Sequence, residues 1–254
     1  YAESFKIITN ARTELIVNAG DLGLRDFFGL GNETSFDDSL DDADFYRTNY
    51  HSVRVEPAVN VQISKSFSLR LGGRFEYTNA KVTKNTLLEQ FQPYGLGNRA
   101  ALAFSVSSSF DGRDNPLMPS KGIFLNAGGI FYPALLGYDF AFGKVSGDIR
   151  AYLPASILVF AFHIGGEKTI GTYPFYRASM IGGVNTLRGF TRNRFAGNAS
   201  VYGQTEVRVP VARVNLFVPG TLGLLFFGDG GRVFLDGERS RKWHSGFGGG
   251  VWLN

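Results

Sequence analysis

The chain has no cysteine, which removes disulfide frameworks and thiol catalysis while leaving its compartment open. It also lacks any run approaching the roughly 18 consecutive apolar residues that a membrane-spanning helix needs. Charge is scarce, at 19% of residues against about 25% in globular domains. The net charge of +4 is small and spread out, without the basic cluster that nucleic acid would require. There are three histidines, His51, His163 and His244, and none shows His-x-His or helical His/Glu spacing; ordinary polar positions and no metal are expected. Asp37, Asp38, Asp41, Asp42 and Asp44 lack the glycine and terminal glutamate of a calcium loop, so a solvated acidic loop is expected there. Ser107, Ser108 and Ser109 sit in no Gly-x-Ser-x-Gly elbow. The glycines of the 246–250 stretch precede no helix, which favours close backbone packing over a phosphate cradle. No catalytic group, metal or cofactor is therefore expected.

What the chain does have is alternation. In residues 52–63, Ser52, Arg54, Glu56, Asn60 and Gln62 share one parity, and Val53, Val55, Val59, Val61 and Ile63 the other. Strand side chains point to opposite faces with period 2, so one face suits lipid and the other water. Residues 67–77 repeat the pattern, with Phe67, Leu69, Leu71, Phe75 and Tyr77 against Arg70, Arg74 and Glu76. So do 101–110, 123–132, 140–153, 157–167, 201–211, 221–235 and 243–253, while 5–17 is read as a single, weaker strand. About ten strands near the length that a tilted membrane strand requires, joined alternately by short turns and long loops, predict an all-β, antiparallel transmembrane barrel. Short turns are expected on the periplasmic side and long loops outside. The chain starts at Tyr1 without a leader and stops directly after a strand, so one barrel domain over 1–254, incomplete at both ends, is expected. Inward Arg54, Arg70, Arg74, Lys144, Arg150 and Arg208 face Glu56, Glu76, Asp148 and Glu206, a mixture that either conducts ions or braces a filled bore.

Three motifs stand in order along the chain. The first is Asp114-Asn115-Pro116-Leu117-Met118-Pro119-Ser120-Lys121-Gly122. The second is Gly182-Gly183-Val184-Asn185-Thr186-Leu187-Arg188-Gly189-Phe190, and the third runs from Phe226 through Asp229 to Phe234. Together they resemble the bacterial surface-antigen superfamily of outer-membrane barrels, which includes BamA, TamA and two-partner secretion transporters. That resemblance implies about sixteen strands in the whole barrel. It also implies a late outer loop, here 169–196, that folds inward and carries a Val-Arg-Gly-Phe/Tyr motif; Leu187 replaces the valine. Arg188 is then expected in the lumen, paired with acidic residues of the following strands. Glu206 lies on a polar face and Asp229 interrupts an apolar segment where a charge would be costly in lipid, which fits that pairing. Gly189 is expected to let the backbone approach the wall, and Phe190 to pack. Leu187, Arg188, Gly189, Phe190, Glu206 and Asp229 form the candidate site, a structural lock of loop to lumen.

The resemblance implies a protein without chemistry of its own, residing in the bacterial outer membrane. It would assemble or translocate unfolded outer-membrane or secreted polypeptides. Outer-membrane lipid, lipopolysaccharide and periplasmic assembly subunits are the partners implied. Residues 27–34 (Phe-Phe-Gly-Leu-Gly-Asn-Glu-Thr) are also similar to a subgroup fused to a phosphoesterase-like domain. The alternative reading is accordingly the membrane anchor of a fused hydrolase, phosphoesterase or patatin-like lipase. A plain diffusion porin is a third, weaker reading.

Overall fold

The structure is a computed structural model and describes residues 2–8, 10–20, 26–42, 44–216 and 218–253. Eleven strands form one antiparallel sheet in which each pairs with its neighbour along the chain, apart from one interruption. They are β1 (Ala2–Ile8), β2 (Ala11–Gly20), β3 (Asn49–Gln62), β4 (Phe67–Lys81), β5 (Gly97–Asp111), β6 (Gly122–Tyr132), β7 (Phe142–Ala155) and β8 (Leu158–Gly171). Two short strands, β9 (Ser179–Ile181) and β10 (Phe195–Gly197), then pair only with each other. The sheet resumes with β11 (Ala199–Leu216), β12 (Val218–Phe234) and β13 (His244–Leu253), β11 pairing directly with β8.

Alternation sets which face is which. Phe75, Phe104, Val145, Ile149, Ile164, Phe226 and Phe247 are all more than half exposed on one side, although they are among the most apolar residues of the chain. In water such a band would be an aggregation surface; in a bilayer it is solvated by acyl chains. The opposite face carries the charges, and they pair: Arg74 with Glu56 at 2.8 Å, Arg70 with Glu14 at 3.5 Å, Lys144 with Glu167 at 2.8 Å and Arg150 with Asp148 at 2.9 Å. The sheet curls round this polar face. Side chains on strands far apart in the sheet are bridged across it by one loop, which reaches Glu76 on β4 and Asp229 on β12.

The region expected as one strand over 5–17 is instead the β1–β2 hairpin. Its partners include Phe5 with Thr13 and Glu3 with Leu15. Directly opposed residues share a face, and here their numbers sum to an even value. Odd positions of the first arm thus pair with odd positions of the second up to a register shift between Lys6 and Ile8, so a count by parity does not mark the turn. Among the described residues the sheet thus has eleven strands, in keeping with the about ten expected. β8 also runs on to Gly171, so the late connection occupies 172–198 rather than starting at 169.

Connections alternate between the two ends: 26–42, 44–48, 82–96, 133–141, 172–198 and 235–243 lie at one, which carries the longest loops, and 63–66, 112–121 and 156–157 at the other, where only 112–121 exceeds four residues. At the long-loop end the connections pack into a cap. Phe27, Tyr50, Ala80, Leu88, Phe175 and Tyr176 form its buried cluster, with Phe27 edge-on to Phe175 at 5.2 Å. The acidic stretch folds in part as a short helix, α1 (Asp38–Asp42), on the surface of this cap. Leu88 comes from a second short helix, α2 (Leu87–Phe91), whose N-cap Thr86 accepts the Glu89 backbone N–H.

Candidate functional site

The 172–198 connection leaves β8 and first anchors on the far wall. Arg177, in a single 3-10 turn (Phe175–Arg177), pairs with Glu76 of β4, whose side chain is 1% exposed. The Tyr176 hydroxyl lies 3.2 Å from Thr78 Oγ1 and 3.3 Å from the Tyr138 hydroxyl. The chain then runs along β9, turns, and returns along β10, so that residues 182–194 form a tip pushed into the bore. Gly182 makes the turn feasible: its φ is +127° and a Cβ would sit 2.3 Å from the Thr191 carbonyl oxygen. Within the tip, Gly182 N–H donates to Thr186 Oγ1 at 2.8 Å, and Leu187 N–H to the Gly183 carbonyl at 3.0 Å.

This folded tip delivers Arg188. Its backbone N–H and Nε donate to Asp229 Oδ2 at 2.8 and 2.9 Å, and Nη2 donates to Oδ1 at 2.7 Å. Nη1 donates to Glu206 Oε2 at 2.7 Å. The guanidinium lies 3.9 Å from the centroid of the Phe227 ring. Asp229, on β12, is opposite Gln204 in the ladder, while Glu206, on β11, is opposite Phe227. Two adjacent strands thus present two carboxylates and a ring to one arginine. A planar fork held by two carboxylates and stacked on an aromatic has its orientation fixed, which a lysine ammonium would not reproduce.

All six expected residues lie in this region, with different parts to play. Leu187 is wholly buried with Ile181, Phe195 and Val233, so the motif's apolar first position is a core position. Phe190 packs edge-on to Phe195 at 5.5 Å and to His244 at 5.8 Å. Gly189 differs from expectation. Its φ is +86°, but a Cβ there would meet nothing within 4 Å, so the residue serves the turn and not a close approach. The close approach belongs to Gly246 of β13, where a Cβ would sit 2.2 Å from the Arg188 carbonyl oxygen. The six-residue candidate site omits Phe227 and Arg208, although Arg208 is among the inward charges expected to face Glu206. Arg208 Nε donates to the second oxygen of Glu206 at 2.6 Å, and Nη1 to the Pro119 carbonyl at 3.3 Å. Alternation placed Arg208 inward, but no local signal names Pro119 as its neighbour. Beside this network lies a cavity of about 480 Å³, lined by Arg150, His163, Gln204 and Arg208 among others. Among the described residues, no three histidine or acidic side chains are grouped to hold a metal.

Residues 27–34 also find their place. Asn32 is fully buried. Its side chain donates to Ser240 Oγ at 2.9 Å and the Lys242 carbonyl at 2.7 Å, and accepts from Val233 N–H at 3.1 Å. The Asn32 backbone N–H and that of Glu33 hold the Glu238 carboxylate at 2.8 and 3.0 Å. Gly31 pairs with Ala196, and Arg194 donates to the hydroxyl and carbonyl of Thr34, both at 2.7 Å. The segment joins the late loop to the β12–β13 connection, so it has a packing role inside the barrel.

A curled antiparallel sheet with an apolar outer band, a charged lumen and a loop tied inside it by an arginine fork defines a loop-filled transmembrane barrel. The Omp85 superfamily domain matches residues 11–253, and the chain belongs to that superfamily. Among solved structures it is similar in fold to BamA from Haemophilus ducreyi lacking POTRA domains 1–3, at 14% identity and a TM-score of 0.66. The match covers 96% of this chain and 56% of that one, so the chain spans little more than half of that structure. No curated protein matches the sequence.

Proposed function

We propose that this chain is the barrel of a bacterial outer-membrane machine that assembles outer-membrane polypeptides or translocates secreted ones. In this reading the barrel performs no chemistry. Its clients are unfolded polypeptides, its partners are periplasmic assembly subunits and its surroundings are outer-membrane lipid and lipopolysaccharide. The short-turn end faces the periplasm and the capped end faces outward.

The observation that carries this reading is the Arg188 fork. It holds a loop inside the bore by charged contacts to two adjacent strands, where a diffusion pore would need open space. A braced lumen is suited to a barrel whose wall acts on polypeptide, and membership of the superfamily supports that role. The test is Arg188→Ala and Asp229→Ala in cells that depend on the protein. Reduced assembly or secretion is expected from both; wild-type function with unchanged barrel stability would sink the reading. The fused-hydrolase alternative drew on residues 27–34, whose contacts here are internal to the barrel. Phosphoester or lipid-ester hydrolysis by the full-length protein, absent from the barrel alone, would support it.

A further inference from the structure

The turn between β5 and β6 belongs to the short-turn end, yet it contacts the same network as the loop that enters from the other end. Its geometry is set by two side chains. Asp114 Oδ1 accepts the backbone N–H groups of Asn115, Ser120 and Lys121 at 3.0 to 3.2 Å, and Oδ2 accepts the Ser120 hydroxyl at 2.5 Å. Asn115 Oδ1 accepts Leu117 and Met118 N–H at 2.8 and 3.2 Å. Arg113 is clasped by Asp111 at 2.8 and 2.7 Å and covers the Phe124 ring at 4.7 Å. The outcome is a stiff turn with two sides. Leu117 points away, 93% exposed, while Pro119 is buried. Pro119 and Met118 are the atoms that Arg208 touches, at 3.3 Å and 3.8 Å.

Arg208 therefore has one hand on the turn and the other on Glu206, and Glu206 gives its remaining oxygen to Arg188. Asp229, Arg188, Glu206, Arg208 and the Pro119 carbonyl form one unbroken chain of charge-assisted bonds through the lumen. It ties together the three motifs that stand apart in the sequence. Glu206 has a single carboxylate to share, so loss of either arginine removes one of the bonds that set its pose. Where the network's side chains are mostly shielded from water, such shared acceptors couple their donors.

We infer that Arg208 is a positioning residue that couples the β5–β6 turn at one end of the barrel to the late loop entering from the other. Displacing the turn weakens the hold on Arg188, and releasing Arg188 loosens the turn. This builds on the reading of Arg188 as the residue holding the loop. It adds a route by which a contact made on the exposed Leu117 side of the turn reaches that loop.

The test uses full-length protein in lipid vesicles, with a spin label at Leu117→Cys or Val184→Cys. Val184 is 78% exposed at the loop tip. Arg208→Met keeps the apolar stem and removes the donors. The expected result is loss of the immobilised spectral component at both label sites in Arg208→Met, and loss at the turn label in Arg188→Ala. Arg208→Lys, which keeps a charge for Glu206, should restore part of the immobilised component at position 184; a purely structural loss would show no such rescue. An unchanged label at 184 in Arg208→Met overturns the coupling. If Arg188→Ala leaves the label at 184 unchanged, the reading of Arg188 itself fails, which separates the two outcomes. Should Arg208→Met not fold, Pro119→Gly with a label at 184 puts the same question from the turn.

Discussion

Asp229 has a side chain with no exposed surface and directs both oxygens at Arg188. Burying a carboxylate is costly unless it is paired and hydrogen-bonded, so its contacts are conditions for its being there at all. Removing one partner of such a pair leaves the other charge buried alone, at about 3–5 kcal/mol. Because Arg188 keeps Glu206, Asp229→Ala should destabilise the loop-bound state by less than that, measured by urea unfolding in vesicles. Asp229→Ala with Arg188→Met should recover part of the loss, because the under-paired arginine is gone. A double variant no more stable than the single would refute this account. Gly246 offers a second residue-scale test. A methyl group there would sit 2.2 Å from the Arg188 carbonyl oxygen, whereas at Gly250 its nearest neighbour would be a Leu225 side chain at 3.7 Å. Gly246→Ala should displace the loop tip, seen as faster proteolysis within 182–194, and Gly250→Ala should not.

At the scale of elements, the late loop is organised as a piece of secondary structure in its own right. A two-stranded hairpin carries the tip, a 3-10 turn anchors its first arm, and Gly31 pairs with its second. The β5–β6 turn is also an element with an internal cause. The Ser120 hydroxyl, with the backbone N–H groups of Lys121, Ser120 and Asn115, holds the Asp114 carboxyl down at about 2. A carboxylate depressed in the folded state stabilises at every pH above its ordinary value and loses that contribution as pH falls through the depressed one. The turn should thus stay ordered on acidification through the usual aspartate range and loosen only near pH 2. In Asp114→Asn the acid-dependent loosening should vanish. The mobility of a label at Leu117 followed against pH reads both; loosening already at pH 4 would contradict the assignment.

For the whole molecule, the outward band is the main energetic fact. Ile149 and Ser146 lie on β7 with opposite parity; Ile149 is 52% exposed on the apolar face and Ser146 is exposed on the polar one. An arginine on the lipid face costs about 2–4 kcal/mol near the midplane, while an exposed position on the polar face such as Ser146 tolerates charge. Ile149→Arg should lower folding stability in vesicles by that order, and Ser146→Arg should leave it close to wild type. Equal effects would mean that the faces are misassigned. The same band explains how a chain of modest hydropathy, with no helix among the described residues long and apolar enough to span a membrane, can be a membrane protein, as its superfamily implies.

Much of this was legible in the sequence because a strand's alternation is local. Parity along 52–63 or 201–211 decides which residues see lipid without any knowledge of the partner strand, and a buried acid such as Asp229 stands out against its apolar run. Motif order then supplied Arg188, Glu206 and Asp229 together. Three things needed the tertiary structure. The β1–β2 turn was invisible because odd positions pair with odd positions over most of the hairpin, from Glu3–Leu15 to Phe5–Thr13. The clash that demands glycine falls at 246 and not 189, since close approach depends on which backbone the loop meets. Arg208 meets Pro119 only because the sheet curls: residues 89 apart in the chain come into contact across the lumen. Alternation determined the faces of this barrel, whereas the contacts that fill its bore were decided by the curling of the sheet round its charged side, which no local pattern encodes.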